Sequence, residues 1–191
     1  MGLFLTAAPA VEPVTVDEAK MHLRIDQDEE DTLLASLIAA SRLQIEAVLD
    51  VALITQSWSL ELDTWPDSRE LHVPLWPVQS GEAVQIMDQD GEVVDLCTSA
   101  LVLDGASKPP RLVSTAGNWP EPGVPALGIE IGFTAGFGNS ASDVPAPIKQ
   151  ALLMLVAHWY EHREPSETGK PVTPIPDAIS ALLMPFRTVR L

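Results

Sequence analysis

The sequence predicts an α+β fold in which a small helical bundle carries an antiparallel β insertion between its second and third helices. Apolar residues recur at helical spacing near both ends of the chain, whereas the middle alternates between apolar and polar residues. Gly and Pro punctuate the alternating part, which is typical of short strands joined by turns. The predicted helices lie near residues 15–23, 28–50, 145–164 and 177–185.

The same patterns divide the chain into three parts. Residues 1–52 and 137–167 are assigned to the helical bundle, and residues 53–136 to the β-rich insertion. Residues 168–191 are assigned to a C-terminal tail, because prolines oppose helix formation and favour an extended linker. No internal repeat of fixed period interrupts this division.

Cap residues and an apolar stripe place the helices. Thr15 or Asp17 is expected to cap the first helix, and the acidic residues 28–31 begin the second. Asp143 is expected to cap the third helix, and Asp177 the fourth. The stripe of the second helix consists of Leu34, Leu37, Ile38, Ser41, Ile45, Val48 and Leu49.

The third helix is apolar over most of its circumference. Ile148, Ala151, Leu152, Leu155 and Trp159 line one face, and further apolar residues widen it. Such a helix is central in a bundle, or packs against both its own core and a neighbouring chain.

Strict alternation assigns the strands and their buried faces. The segments SWSLELDTW, ELHVPLW and GIEIGFTAG alternate, and Asp90–Gly91 is a favoured hairpin turn between two further strands. The side chains expected to face inward are Trp58, Leu60, Leu62, Leu71, Val73, Leu75, Ile129, Ile131 and Phe133.

Charge and composition limit the possible functions. The chain has 27 acidic and 11 basic residues, for a formal charge of −16. This excess argues against binding to nucleic-acid phosphates or anionic lipid, because both require Lys and Arg. A single cysteine, Cys97, excludes an internal disulfide. The tail from residue 168 onward differs, with three basic residues and one acidic residue.

One motif suggests a metalloenzyme. Residues 158–162 read HWYEH and fit H-x-x-E-H, the inverted zinc-peptidase pattern. Such a site needs a third protein ligand from a second helix downstream, and Glu164, Glu167 and Asp177 are not on a convincing one. The alternative is that both histidines lie in the last turns of a structural helix, where the helix dipole favours cationic side chains.

Other chemistry-bearing patterns have structural explanations. DQDG at residues 88–91 is explained by hairpin formation, and DQDEED at residues 26–31 by a helix start. No Gly-rich phosphate loop, G-x-S-x-G or Cys–His nucleophile pair occurs. A ligand-binding β module remains an alternative, based on Trp58, Trp65, Trp76 and Trp119. We therefore predict no catalytic residue, no metal site and no cofactor.

Three segments carry a family resemblance. PVTVDEAKMHLRIDQDEEDTLLASLIAASRLQIEAVL resembles the start of phage head–tail connector proteins, also called adaptors. ALITQSWSLELDTWP resembles the segment that follows in longer members, which include gene transfer agent adaptors. VPAPIKQALLMLVAHWYEHRE resembles their third helix, where the HWYEH stretch is structural.

The resemblance implies a structural virion protein at the head–tail junction, or neck, made in the bacterial cytoplasm. The expected assembly is a homo-oligomeric ring of about twelve subunits closed by rotation. The expected partners are the portal protein above the ring and a stopper or tail-completion protein below it. DNA is expected to pass through the channel without specific binding, and no membrane is involved.

The tail is expected to dock on the portal. Its apolar face and basic residues are the candidate portal-binding side chains: Ile179, Leu182, Leu183, Phe186, Arg187 and Arg190. The alternative is that this segment folds back onto its own bundle as a fourth core helix.

Overall fold

The computed structural model describes residues 1–96, 101–115, 117–162 and 176–187. Helices and antiparallel sheets are both present, which confirms the α+β class. Cys97, Arg190 and the expected linker over residues 168–175 lie outside the described residues.

The chain divides into two compact units. The β unit comprises Met1–Ala10 and Thr55–Phe137, and the helical unit comprises Val11–Ile54 and Gly138–Leu191. The division differs from the sequence prediction at the start of the chain, because the first ten residues belong to the β unit.

The described part of the helical unit contains four α-helices. They are α1 (Val16–Leu23), α2 (Asp31–Leu49), α3 (Ala146–Glu161) and α4 (Asp177–Leu183), with short 3-10 turns at Ala141–Asp143 and Met184–Phe186. Helix α1 packs against α2 and α3, α2 packs against α3, and α3 packs against α4. The helix α3 therefore contacts every other helix of the unit.

The helix starts confirm one predicted cap and correct two. The Oγ1 atom of Thr15 accepts the backbone N–H of Glu18, whose carboxylate accepts the backbone N–H of Thr15 in return. The prediction that Asp143 caps α3 is wrong: its carboxylate accepts the N–H of Ser140 within the preceding 3-10 turn, and Pro145 precedes α3. The prediction for Asp177 is also wrong, because Pro176 occupies the cap position of α4.

The core of the helical unit confirms the predicted stripes. Leu34, Ile38 and Ile45 of α2 are buried, as are Ile148 and Leu152 of α3. Burying each such side chain contributes roughly 1.5–3 kcal/mol relative to leaving it exposed.

Helix α2 is long and apolar enough to cross a membrane by length and composition alone. Its centre, however, carries Arg42 and Glu46, which are buried and paired within the helical unit. An apolar stripe against the unit's own core, with a buried ion pair beside it, is typical of a core helix.

The β unit contains two antiparallel sheets over the described residues. The strands are β1 (Gly2–Ala7), β2 (Gln56–Leu62), β3 (Glu70–His72), β4 (Val78–Met87), β5 (Val93–Asp95), β6 (Leu101–Asp104), β7 (Arg111–Ser114) and β8 (Ile129–Ala135). One sheet has the order β1-β2-β8-β4-β5, and the other has the order β3-β7-β6. The central strand β8 pairs along its whole length with both β2 and β4.

Strand alternation is confirmed on the buried faces. Leu60 and Leu62 of β2 are buried, and so are Ile129, Ile131 and Phe133 of β8. Trp58, which was expected to be buried with them, is half-buried. The predicted hairpin joins β4 to β5, with Gly91 at φ +80°, a conformation that glycine adopts without strain.

Strand β1 was not predicted. It forms an edge of the five-stranded sheet and pairs with β2 from Gly2 opposite Glu61 to Leu5 opposite Trp58. A bulge at Thr6 shifts the register before Ala7 pairs with Ser57. The apolar run MGLFL is short, and its length alone does not distinguish a strand from part of a helix.

Candidate functional site

The HWYEH stretch forms the last turn of α3. The ring centroids of His158 and His162 lie 4.5 Å apart, and Glu161 is exposed. The backbone N–H of His162 donates to the carbonyl oxygen of His158 at 3.1 Å, and the Nδ1 atom of His162 lies 2.8 Å from the same oxygen. Because carbonyl groups at a helix end lack helical partners, His162 satisfies one with its backbone and its ring.

A metal site at this position would need further ligands. Across the parts of the chain that the structure describes, no group of three or more His, Cys, Asp or Glu side chains is placed to hold a metal ion. Glu164 and Glu167 lie outside those parts. The geometry of His158 and His162 is therefore explained by helix termination.

We expect the variant His158→Asn/His162→Asn, and separately Glu161→Gln, to assemble into particles at wild-type levels. The reason is that His162 contacts the carbonyl oxygen of His158 at the end of α3, and the described residues bring no third ligand to the pair. The measurement is the particle yield, together with the metal content of the purified wild-type chain. Stoichiometric zinc that is lost in the histidine variant, together with a hydrolytic activity, would overturn this expectation.

The acidic segments 26–31 and 88–91 both have internal roles. The amine of Lys20 pairs with Asp28 and lies 3.0 Å from Asp31, which ties α1 to the start of α2. The hydrogen bonds that the amine donates, first to Asp28 and then to Asp31, raise the pKa of Lys20 to about 12. In the second segment, Asp88 Oδ1 accepts the backbone N–H groups of Asp90 and Glu92 at 2.9 Å, which closes the hairpin turn.

Two tryptophans pack against each other and join two loops of the β unit. The rings of Trp65 and Trp119 stack with centroids 4.3 Å apart and planes 6° apart. Trp65 Nε1 donates to the carbonyl of Pro120, and Trp119 Nε1 donates to the carbonyl of Ser68. An open cleft of about 670 Å³ lies beside them. One face of each ring and both indole N–H groups are already used within the chain, which favours packing over ligand stacking.

Trp76 is also engaged within the β unit. Its ring lies edge-to-face with Phe137 at 5.2 Å, and the amine of Lys108 lies 3.6 Å from its centroid. The four tryptophans of the β-module hypothesis therefore do not converge on one site, since only Trp65 and Trp119 line the cleft.

The candidate portal-binding residues lie mainly on α4 and the turn after it. Ile179 and Leu183 are 1% and 2% exposed, Leu182 and Phe186 are half-buried, and Arg187 is exposed. Arg190 lies outside the described residues. Because α4 packs against α3, the structure favours the alternative in which this segment is a fourth helix of its own unit. The assignment of these residues to the portal stays a prediction.

A buried ion network was not predicted from the sequence. Arg42 Nε lies 2.8 Å from Glu12 Oε2, and Arg42 Nη1 lies 2.9 Å from Glu46 Oε2. Glu46 Oε1 accepts the backbone N–H of Leu53 at 2.9 Å. Burial opposes the charge of Arg42, but the two carboxylates outweigh it and raise the pKa of the guanidinium above its usual value.

The network ties α2 to two segments where the chain passes between units. Glu12 follows the passage from the β unit at residues 10 and 11, and Leu53 precedes the passage back at residues 54 and 55. No local pattern reveals this, because Arg42 and Glu12 are 30 positions apart in the sequence.

Sheet edges were also missed as candidate surfaces. Phe4 and Leu5 on β1 are 52% and 45% exposed, and Val93 and Val94 on β5 are 55% and 41% exposed. The sequence signal that could have found the first edge is the absence of charged side chains from residues 1–11.

Part of the chain matches a known protein family. Residues 13–74 match the family model of the phage gp6-like head-tail connector protein. Comparison with curated protein sequences finds no significant match.

Solved structures resemble the chain over its whole length. A chain from the "Neck of empty GTA particle computed with C6 symmetry" is 30% identical, with a TM-score of 0.85, and the match covers 100% of this chain and 97% of that one. A chain from the "Virion of native gene transfer agent (GTA) particle" is 29% identical, with the same TM-score and coverage. A chain from the "Neck of native GTA particle computed with C12 symmetry" is 28% identical, with a TM-score of 0.76, over 98% of this chain and 97% of that one. The family match at the start of the chain and these end-to-end likenesses together show that this chain belongs to the phage head–tail connector protein family.

Proposed function

We propose that this chain is a structural virion protein of the head–tail junction, an adaptor that forms a ring beneath the portal. The observation that carries the proposal is the end-to-end likeness to a neck chain at 30% identity, which includes both the helical and the β unit. The chain acts by assembly, and no step of catalysis is assigned to it.

A closed ring is the assembly that suits this position. The similar neck structures were computed with C6 and C12 symmetry. Cyclic symmetry requires head-to-tail contacts in which each subunit offers two different surfaces to its neighbours. A ring of about twelve copies of this chain follows from the family resemblance, with contacts that close by rotation.

The ring extends the DNA channel and offers a docking surface to the stopper or tail-completion protein. A formal charge of −16 suits a channel wall, because an acidic surface repels DNA phosphates and lets the duplex slide without binding. The arrangement of subunits in the ring determines which surface of the chain faces the channel, and no single residue identifies that surface.

Contact with the portal is assigned to the end of the chain. With Ile179 and Leu183 buried in their own unit, the side chains left for a partner are the half-buried Leu182 and Phe186 and the exposed Arg187. A basic side chain on an acidic protein suits pairing with carboxylates of a partner.

Electron microscopy of particle necks with and without this chain tests the proposal. We expect deletion of the chain to remove one ring of density below the portal and to leave DNA-filled heads without tails. The control is complementation with the wild-type chain, which should restore both. An unchanged neck in the deletion strain, or a chain found as an isolated monomer outside the channel, would overturn the proposal.

A further inference from the structure

Over Gly2–Leu5, the β1 edge of the five-stranded sheet carries neither a charged side chain nor a proline. Edge strands in natural proteins are usually blunted by charged side chains, proline or bulges, because their free backbone groups attract another strand. Within β1 the segment Gly2–Leu5 is regular and uncharged, and its only irregularity is the bulge at Thr6. Phe4 and Leu5 are consecutive and so point to opposite faces, yet both are about half exposed. Among the residues that the structure describes, β1 therefore has no strand on its outer side, and Phe4 and Leu5 both reach solvent.

The opposite edge of the same sheet also exposes apolar side chains. Within the described ranges, strand β5 pairs with β4 and with no other strand. Val93 and Val94 are also consecutive, and both are exposed. Single exposed apolar residues are normal on a protein surface, whereas adjacent exposed apolar residues begin to form the contiguous patches that mark interaction sites.

The distribution of charge along the chain favours a second copy of the chain as the partner of these two edges. Copies of a chain with a formal charge of −16 repel one another, so their contact must place few acidic groups against each other. Residues 1–11 contain no Asp, Glu, Lys, Arg or His, whereas β5 ends on Asp95 and is preceded by Asp90 and Glu92. An uncharged strand can pair with an acidic edge without like-charge repulsion.

Strand direction fits a head-to-tail contact. Each neighbouring pair in the order β1-β2-β8-β4-β5 is antiparallel, so β1 and β5 run in the same direction. Copies related by rotation keep that direction, and β5 of one copy can therefore pair in parallel with β1 of the next. We infer that β1 and β5 join neighbouring subunits, so that the five-stranded sheets form a continuous belt around the ring. This inference rests on the proposed function, because it requires a closed ring.

Charged substitutions on the two edges test the belt. Phe4→Asp and Val94→Asp should each reduce the incorporation of the chain into particle necks by about tenfold or more, because each places an additional negative charge in the contact. The matched control is Val102→Asp, since Val102 is 51% exposed on β6, an edge of the other sheet. All three variants should keep the wild-type circular dichroism spectrum and melting temperature. Incorporation of Phe4→Asp and Val94→Asp at the level of Val102→Asp would overturn the inference.

Cross-linking identifies which edges meet. In a Cys97→Ser background, Phe4→Cys combined with Val94→Cys should give a ladder of covalent multimers in assembled particles treated with a short bismaleimide. Each single cysteine should give only monomers, because each edge meets a different edge. Covalent dimers from Phe4→Cys alone would show β1 paired with itself and overturn the belt.

Different results would contradict the proposed function and the belt. A wild-type chain that is absent from the neck contradicts the proposed function itself. A wild-type chain that is present in the neck as a ring, together with edge variants that assemble normally, contradicts the belt alone.

Discussion

Replacing Arg42 with Met should lower the free energy of unfolding of the helical unit by about 3–5 kcal/mol. The guanidinium bridges Glu12 and Glu46, and the side chain of Glu46 is only 10% exposed. Removing one partner of a buried ion pair leaves the other charge without compensation in a poorly solvated site. Methionine fills a similar volume, so the loss reports mainly on charge and hydrogen bonding.

A second substitution separates these contributions. Glu46→Gln in the Arg42→Met background should recover part of the loss, because it removes the uncompensated charge and keeps an oxygen for the backbone N–H of Leu53. The matched control is Lys149→Met, which breaks the ion pair between α3 and Glu18 of α1, where both side chains are more exposed. That control should cost less than about 1 kcal/mol.

Urea denaturation followed by circular dichroism at 222 nm measures these effects, because the α-helices lie in the helical unit. A loss for Arg42→Met no larger than that for Lys149→Met would contradict the importance of the network. A full loss in the double variant would show that the hydrogen bonds, and not the charge, account for the stability.

Local patterns were enough to predict the helices. The four predicted ranges differ from α1, α2, α3 and α4 by no more than a few residues at each end, because apolar spacing follows the helical period. The residues at which the helices begin were harder to predict. Asp143 and Asp177 are good cap residues by type, but a 3-10 turn engages the first and a proline precedes the second.

The features that the sequence did not reveal are contacts between residues that are far apart in the chain. The Trp65–Trp119 stack, the Arg42–Glu12 pair and the pairing of β1 with β2 each join segments that no short pattern connects. The strand β1 illustrates the difficulty, because each of its residues pairs with one at least fifty positions later in the chain. Alternation indicates which face of a strand is buried, but not which strand lies beside it.

The candidate site was predictable only through the family. Across the described residues no cluster that could hold a metal ion marks the function, and the proposed ring would act through extended surfaces. The residues of α4 show what helical periodicity alone leaves undecided. Their apolar face was assigned to the portal, but periodicity does not state whether that face is covered by another protein or by the chain's own α3.

Deleting residues 177–191 should destabilise the helical unit by about 3–6 kcal/mol, at roughly 1.5–3 kcal/mol for each of two fully buried side chains. The reason is that Ile179 and Leu183 are almost completely buried, and α4 covers α3. Urea denaturation of the truncated chain measures the loss, and sedimentation shows whether the exposed face of α3 causes aggregation. A truncated chain with the wild-type unfolding transition that no longer joins DNA-filled heads would contradict this expectation and favour a docking arm.

Two point variants separate the stabilising role of α4 from contact with the portal. Ile179→Ala should cost about 2–5 kcal/mol, since it removes a buried branched side chain and leaves a cavity. Arg187→Glu should leave the unfolding transition unchanged because Arg187 is exposed, but it should reduce attachment of the chain to DNA-filled heads if this end contacts the portal. Normal attachment of Arg187→Glu would remove that residue from the proposed portal surface, and normal stability of Ile179→Ala would show that α4 is not part of the core.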